Sequence, residues 1–190
     1  MVRVGILALQ GAFKEHSRMF ADLGVESVEI RLPDELSNID ALVIPGGEST
    51  TMAKLMDAYQ LRKPIQALAV QGKPVWGTCA GLILMATKIQ ENYPEPMGIM
   101  NIHTSRNAYG RQVNSFEDTL QIPILGHEEF QGVFIRAPAI KEFGEQVKIL
   151  ANLPDGSPVA ARENNCLVTS FHPELTTDTR FHSYFLSMTN

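Results

Sequence analysis

Residues 75–82 read Val75-Trp76-Gly77-Thr78-Cys79-Ala80-Gly81-Leu82. A short apolar run stops at Gly77, a cysteine follows between small residues, and a helix-compatible apolar run continues from Leu82 to Ala86. A reactive side chain at the apex of a sharp strand-to-helix turn carries this pattern. Glycines two residues to either side let neighbouring backbone pass close without a Cβ clash. A helix starting just after the cysteine turns its unpaired N–H groups and positive dipole end toward the sulfur, which favours thiolate. A buried structural cysteine in a Gly-containing turn is the alternative, since free Cys packs as a small hydrophobe.

Outward from this turn, the first half of the chain alternates strand and helix. Val2–Leu9 reads as a buried parallel strand, Ala12–Leu23 as a helix ending at Gly24, and Val25–Arg31 as a second strand closed by Pro33. A short helix or turn is expected over Pro33–Ile39. A third strand over Ala41–Ile44 runs into Pro45-Gly46-Gly47-Glu48-Ser49-Thr50. Thr51–Tyr59 and Ile65–Gln71 read as helices before the break at Gly72-Lys73-Pro74. Such alternation with short connections implies an α/β fold whose mainly parallel sheet is covered on both faces. Beyond Lys88 the pattern shifts. Glu91–Pro96 is a polar loop, and strand-like pieces surround Ile102 in a stretch that carries Arg106, Asn107 and Tyr109. Leu120–Leu125 and Gly132–Ile135 look like antiparallel strands. Val147–Leu150, Val159–Arg162 and Cys166–Ser170 read as a meander, and Asp178–Met188 as a closing helix. No repeat or long linker divides the 190 residues, so one domain over 1–190 is expected.

Composition bounds the function. A net charge of −5 gives no sign of a nucleic-acid surface, and 44% hydrophobic with 19% charged residues is ordinary for a soluble globular chain. No apolar run approaches the ~20 residues of a membrane span, and the first residues lack a signal-peptide layout. The two cysteines, Cys79 and Cys166, form neither a disulfide framework nor a zinc-site spacing. A reducing cytoplasm is the natural setting, with Cys166 packed in the core.

A cysteine nucleophile needs a base and a group to orient that base. Of five histidines, His172 is best placed, because it follows the Cys166–Ser170 strand where loop chemistry collects in α/β sheets. Glu174 lies two residues on and projects to the same side of an extended segment, with Pro173 stiffening the pair. A surface turn is the plainer reading of His-Pro-Glu in isolation. Gly46-Gly47 at the end of a strand can present backbone N–H groups to a developing oxyanion. A phosphate-cradling loop or a plain turn are alternatives there, although no Gly-Lys-Ser/Thr follows. Ser49 and Thr50 offer side chains to cap the next helix. Arg106 and Arg136 have the fork geometry to bind a carboxylate, or are solvated surface arginines.

Together, Gly46-Gly47-Glu48-Ser49-Thr50-Thr51, Gly77-Thr78-Cys79-Ala80-Gly81 and Ser170-Phe171-His172-Pro173-Glu174 resemble class I, triad-type glutamine amidotransferases. The stretches Gly5–Phe13, Ser105–Gln112 and Val133–Pro138 narrow the resemblance to the glutaminase subunits of pyridoxal 5'-phosphate synthase, over Val4 to about Leu175. The resemblance implies a flavodoxin-like three-layer sandwich with a small antiparallel β excursion in the second half. It implies Cys79 as nucleophile, His172 as general base and acid, Glu174 as orienting carboxylate, and Gly47 and Ala80 as oxyanion-hole donors. Gly46, Gly47, Glu48, Ser49, Arg106, Ile135 and Arg136 resemble the L-glutamine-binding set. No cofactor or metal is implied. The implied partner is a (β/α)8-barrel synthase subunit, in a large hetero-oligomer, that receives ammonia. An imidazole-glycerol-phosphate synthase glutaminase shares the Cys-His-Glu logic without this Gly-Gly-Glu-Ser-Thr-Thr run. A metabolite-sensing binding subunit on the same fold would have a broken triad, and a cysteine hydrolase or redox protein would lack the His-Pro-Glu pairing.

Overall fold

In the computed structural model, residues 2–106 and 115–189 are described. The first half runs β1 (Arg3–Leu7), α1 (Phe13–Asp22), β2 (Glu26–Ile30), a 3-10 turn over Pro33–Asn38, β3 (Ala41–Ile44), α2 (Ser49–Ala58), α3 (Arg62–Val70), β4 (Val75–Thr78) and α4 (Ala80–Met85). The second half adds β5 (Ala86–Ile89), β6 (Met100–Ser105), β7 (Ser115–Leu120), β8 (Phe130–Ile135), β9 (Ala139–Phe143), β10 (Lys148–Asn152), β11 (Pro158–Glu163), β12 (Cys166–Thr169) and α5 (Arg180–Ser187).

Seven of these strands make one sheet in the order β10-β11-β12-β4-β3-β1-β2. The pairs β1–β2, β1–β3, β3–β4 and β12–β4 are parallel, whereas β11 runs antiparallel to both β12 and β10. The mainly parallel sheet expected from the sequence is therefore present, and the meander of the second half extends it. The antiparallel excursion is made instead by the β7–β8 hairpin and by β9 against β6, in a small β5-β6-β9 sheet whose β5–β6 pair is parallel.

The sheet is buried on both faces because its strands alternate between two apolar clusters. Leu42 and Ile44 of β3, Val75 of β4 and Val168 of β12 face one side with Met52, Met56, Ile65 and Leu82 of α2, α3 and α4. Val43, Trp76 and Leu167 face the other side with Phe20 of α1 and Phe181 and Phe185 of α5. This two-residue alternation is the geometry of a strand in a three-layer sandwich. Trp76 stacks on Phe181 with centroids 6.1 Å apart and is fully buried.

Several elements differ from the sequence reading. Leu120–Leu125 is not a strand: β7 ends at Leu120, and Pro123–Leu125 forms a 3-10 turn. Pro123 has no N–H for a ladder and suits the first position of a turn. The helices α2 and α3 start at Ser49 and Arg62, ahead of the expected Thr51 and Ile65. The expected helix over Leu82–Ala86 is α4, shifted to Ala80–Met85, and the chain then turns straight into β5. Asn107 to Gln112, including Tyr109, lie outside the described residues.

Candidate active site

Four parallel strands that are neighbours in the sheet, β12, β4, β3 and β1, end at the same edge. Register fixes this: Ile44 pairs with Gly77, and Thr169 with Thr78. The loops that follow must therefore meet. They carry Ser170–His172, Cys79, Gly46–Gly47 and Gln10–Gly11. Ligand sites of open α/β sheets form at this carboxyl edge.

Cys79 is the residue between β4 and α4. Its backbone sits at φ +47°, ψ −102°, a conformation that a non-glycine residue adopts only under strain. The surrounding contacts hold it there. Cys79 N–H donates to the Thr169 carbonyl at 2.8 Å. The flanking glycines are sterically required: a Cβ on Gly77 would lie 2.5 Å from the Gly81 carbonyl carbon, and one on Gly81 would lie 2.0 Å from the Ile44 oxygen. Cys79 is the N-cap residue of α4, which is only six residues long, and its side chain makes no capping hydrogen bond. Cys79 Sγ lies 3.7 Å from the Ile135 carbonyl oxygen.

His172 donates from Nδ1 to Glu174 Oε1 at 2.7 Å, and its own backbone N–H donates to the Val133 carbonyl at 2.8 Å. Cys79, His172 and Glu174 are 7%, 6% and 4% exposed, so all three interact with little screening by water. Burial works against the imidazolium form of His172. Hydrogen bonding to Cys79 and Glu174, together with their negative charges, overcomes it and pushes the imidazole up to about 10. The geometry thus favours a protonated imidazole between a sulfur and a carboxylate. The Gly46 backbone packs directly on this ring, since a Cβ there would sit 2.3 Å from His172 Cε1 and 3.3 Å from Cys79 Cβ.

The Gly46–Gly47 loop is tied to the β1 loop. Ala12 N–H donates to the Gly46 carbonyl at 3.0 Å, and Glu48 N–H donates to Gln10 Oε1 at 2.7 Å. The cap of α2 corrects the sequence reading: Glu48, rather than Ser49 or Thr50, accepts from the N–H groups of Thr50 (3.0 Å) and Thr51 (2.7 Å) and from the Thr51 hydroxyl (2.7 Å). A carboxylate reaches two orphan donors at once and meets the positive end of the helix. Its slight burial would raise the carboxyl, but those hydrogen bonds hold it down at about 2.

A cleft of about 890 Å³ opens over these loops, lined by Gly46, Gly47, Glu48, Ser49, Cys79, Ala80, Arg106, Ile135, Arg136 and His172. Of the catalytic, oxyanion-hole and glutamine-binding residues expected from the sequence, all line it except Glu174, which reaches the site through its bond to His172. Arg106 reaches in through a web of contacts. Its guanidinium donates to Glu48 Oε1 (3.3 Å) and the Tyr93 carbonyl (3.2 Å), while its backbone N–H donates to Glu91 Oε1 (2.9 Å). Arg136 lines the cleft with a left-handed backbone, φ +45°. Ile83, Ser115 and Leu175 also line the cleft and were not read from the sequence, since nothing local marks them. Of the other histidines, His103 pairs with Glu142 at 2.9 Å across β6 and β9, His127 is exposed, and His16 and His182 are buried beneath the triad. Cys166 packs in the core, where burial pushes its thiol up to about 12. Among the described residues, no cluster of His, Cys, Asp and Glu has the arrangement of a metal site.

Known proteins share this architecture. A model of the SNO glutamine amidotransferase family matches residues 6–190. The pyridoxal 5'-phosphate synthase subunit PdxT of Herpetosiphon aurantiacus is 54% identical over 188 residues, covering 97% of this chain and 99% of the relative. The protein of the same name from Dehalococcoides mccartyi is 52% identical over 189 residues, covering 98% and 97%. A crystal structure described as a glutamine amidotransferase superposes with a TM-score of 0.92 at 44% identity, covering 98% of each chain.

Proposed function

This chain belongs to the SNO glutamine amidotransferase family, and from that premise we propose that it is a glutaminase that cleaves the side-chain amide of L-glutamine and passes the ammonia to a pyridoxal 5'-phosphate synthase subunit. The observation that carries the reading is the convergence in one cleft of Cys79 and of His172, whose ring is bonded to the buried Glu174.

The residues divide the work as follows. The Cys79 thiolate attacks the glutamine carboxamide carbon. Negative charge moves to the amide oxygen, where the N–H groups of Gly47 and Ala80 are the candidate donors, each worth roughly 3 kcal/mol in the transition state. An amide is a poor electrophile, so such donors are essential. His172, charged in the resting pair, gives its proton to the departing nitrogen, and ammonia leaves. The remaining glutamyl thioester is attacked by water, from which His172 takes a proton. Glutamate departs and the thiolate–imidazolium pair is restored. Net consumption is one glutamine and one water; the products are glutamate and ammonia. Glu174 keeps Nδ1–H of His172 oriented and supports its positive charge. The glutamine α-carboxylate needs a cation. Arg106, now paired with Glu48, and Arg136 are the candidates at the cleft, with Ser49, Ile135 and the Gly46–Glu48 backbone completing the walls.

The whole chain acts as one glutaminase domain, 1–190, in the cytoplasm. No helix among the described residues is long and apolar enough to cross a membrane. The acceptor is a (β/α)8-barrel synthase subunit within a large hetero-oligomer; that the relatives are themselves synthase subunits supports the existence of a partner subunit. The test is glutamate release from L-glutamine, measured with and without the barrel subunit. The wild-type chain with its partner turns over, and Cys79→Ala loses on the order of 10,000-fold or more in kcat. Undiminished turnover by Cys79→Ala, or none by the wild-type complex, sinks the reading.

A further inference from the structure

Beneath the triad lies a buried polar group that the proposed chemistry does not use. Glu174 spends Oε1 on His172, while its other oxygen, Oε2, finds no aligned hydrogen-bond donor among the described residues. The charged-group contact that Oε2 makes is to Nε2 of His16, on α1, at 3.4 Å. The same nitrogen lies 3.3 Å from the Thr78 hydroxyl, next in sequence to Cys79. On the far side of the ring, His16 Nδ1 lies 3.0 Å from His182 Nε2, on α5. Both histidines are fully buried, in a cage completed by the edges of Trp76 and Phe20.

Donor accounting assigns the protons. Burial above all, with repulsion from any charge placed on His182 or His172, holds His16 well below its ordinary value, and burial pushes His182 down to about 3. Each ring is therefore neutral and carries one N–H. Two arrangements satisfy the 3.0 Å contact between them. In the first, His182 donates from Nε2 to His16 Nδ1, and His16 keeps its proton on Nε2, facing Glu174 Oε2 and Thr78. Only His182 Nδ1 is left over, as a lone pair. In the second, His16 donates from Nδ1 to His182. The His16 Nε2 lone pair can then accept from the Thr78 hydroxyl but also faces a carboxylate oxygen, and the His182 proton sits on Nδ1, which has no partner among the described residues. An orphaned buried N–H and a lone pair against a negative oxygen are both unfavourable, so the first arrangement holds.

We propose that His16 is a positioning residue of the triad, donating from Nε2 toward Glu174 Oε2, with His182 fixing the tautomer that allows it. The inference rests on the glutaminase reading. With one oxygen bonded to His172 and the other facing the His16 Nε2 proton at 3.4 Å, the Glu174 carboxylate is steered from both ends. Its plane, and through it the tilt of the His172 ring over Cys79, is set by α1 and α5 rather than by the short Pro173–Leu175 turn alone. A mobile carboxylate would let the imidazole swing, and a displacement of about 1 Å costs on the order of 100-fold in rate.

The test pairs two substitutions with one spectrum. In His16→Phe the volume remains and the donor is lost; in His16→Gln the side-chain amide places an N–H where Nε2 was. In the complex with the barrel subunit, His16→Phe is expected to lower kcat for glutamate release about 10- to 100-fold, with KM for glutamine within 2-fold, while His16→Gln stays within about 3-fold of wild type. Long-range proton–nitrogen correlation spectra of the wild-type chain are expected to show His16 neutral and protonated on Nε2 from pH 6 to 8. A cationic ring, a proton on Nδ1, an equal loss in both variants, or a change confined to KM overturns the proposal. The spectrum requires no variant to fold. Absence of glutamate release by the wild-type complex would instead overturn the glutaminase reading, leaving the tautomer to decide the role of His16 in holding Glu174.

Discussion

Gly46→Ala is the substitution that tests most sharply whether backbone packing sets the reacting geometry. A Cβ at Gly46 would stand 2.3 Å from His172 Cε1, 2.9 Å from Nδ1 and 3.3 Å from Cys79 Cβ, whereas ordinary contact begins at 3.4 Å. The ring would have to retreat by about 1.1 Å, and neither side yields easily. His172 is pinned by the 2.7 Å bond to Glu174 and by its backbone bond to Val133, and the Gly46 carbonyl is held by Ala12 N–H. A misplacement of about 1 Å lowers rate on the order of 100-fold, equivalent to about 2.7 kcal/mol in the barrier. Overpacking of this kind destabilises the fold by about 1–3 kcal/mol, a fall of a few degrees in Tm. The assay is steady-state glutamate formation by the complex with the barrel subunit, with Tm from calorimetry as the control. A drop of about 100-fold in kcat with the fold intact is expected. Retention of kcat within 3-fold would refute the claim that the glycine is required by the imidazole.

Two further outcomes follow from the titrating groups. Because His172 is raised in the folded state to about 10 from an unfolded value near 6.5, its contribution to stability is fully present below about pH 6.5 and is lost as pH rises toward 10. The difference in urea unfolding free energy between wild type and His172→Gln should therefore narrow from pH 6 to pH 10.5, and a constant difference would contradict it. Cys166, pushed up to about 12 by burial, should stay unmodified when the native chain is treated with iodoacetamide at pH 8. Intact mass should then show one label, on Cys79, and none in Cys79→Ala; two labels on the native wild type would refute this.

What could be read without coordinates was whatever is encoded by neighbours in the chain. The apolar runs of β1, β3, β4 and β12, the punctuation at Gly24 and Pro33, and the Gly77–Gly81 turn all have local signals, and the structure forms them where expected. The site loops converge because those four strands adjoin, a consequence of topology that alternation alone suggests only in outline. The structure departs from the local signals where a tertiary partner decides. Leu120–Leu125 is apolar enough for a strand, but Pro123 ends the ladder, and the pairing partner of Phe130–Ile135 is Ser115–Leu120. The short strands β5 and β9 carry no periodicity of their own and form only through β6. Glu48 is an unusual cap that its hydroxyl-bearing neighbours obscured. His16 and His182 are 166 residues apart, so nothing in either segment announces that they meet.

The position of β12 has a consequence for the newborn chain. β12 fills the slot between β4 and β11 although it is the last strand in the sequence. A ribosome delivers residues in order, so Cys79 and its turn emerge about ninety residues ahead of His172. Until β12 inserts, β4 has an open edge, the Cys79 N–H lacks the Thr169 carbonyl, and the sulfur has no base. The thiol therefore gains its base only with the insertion that completes the sheet.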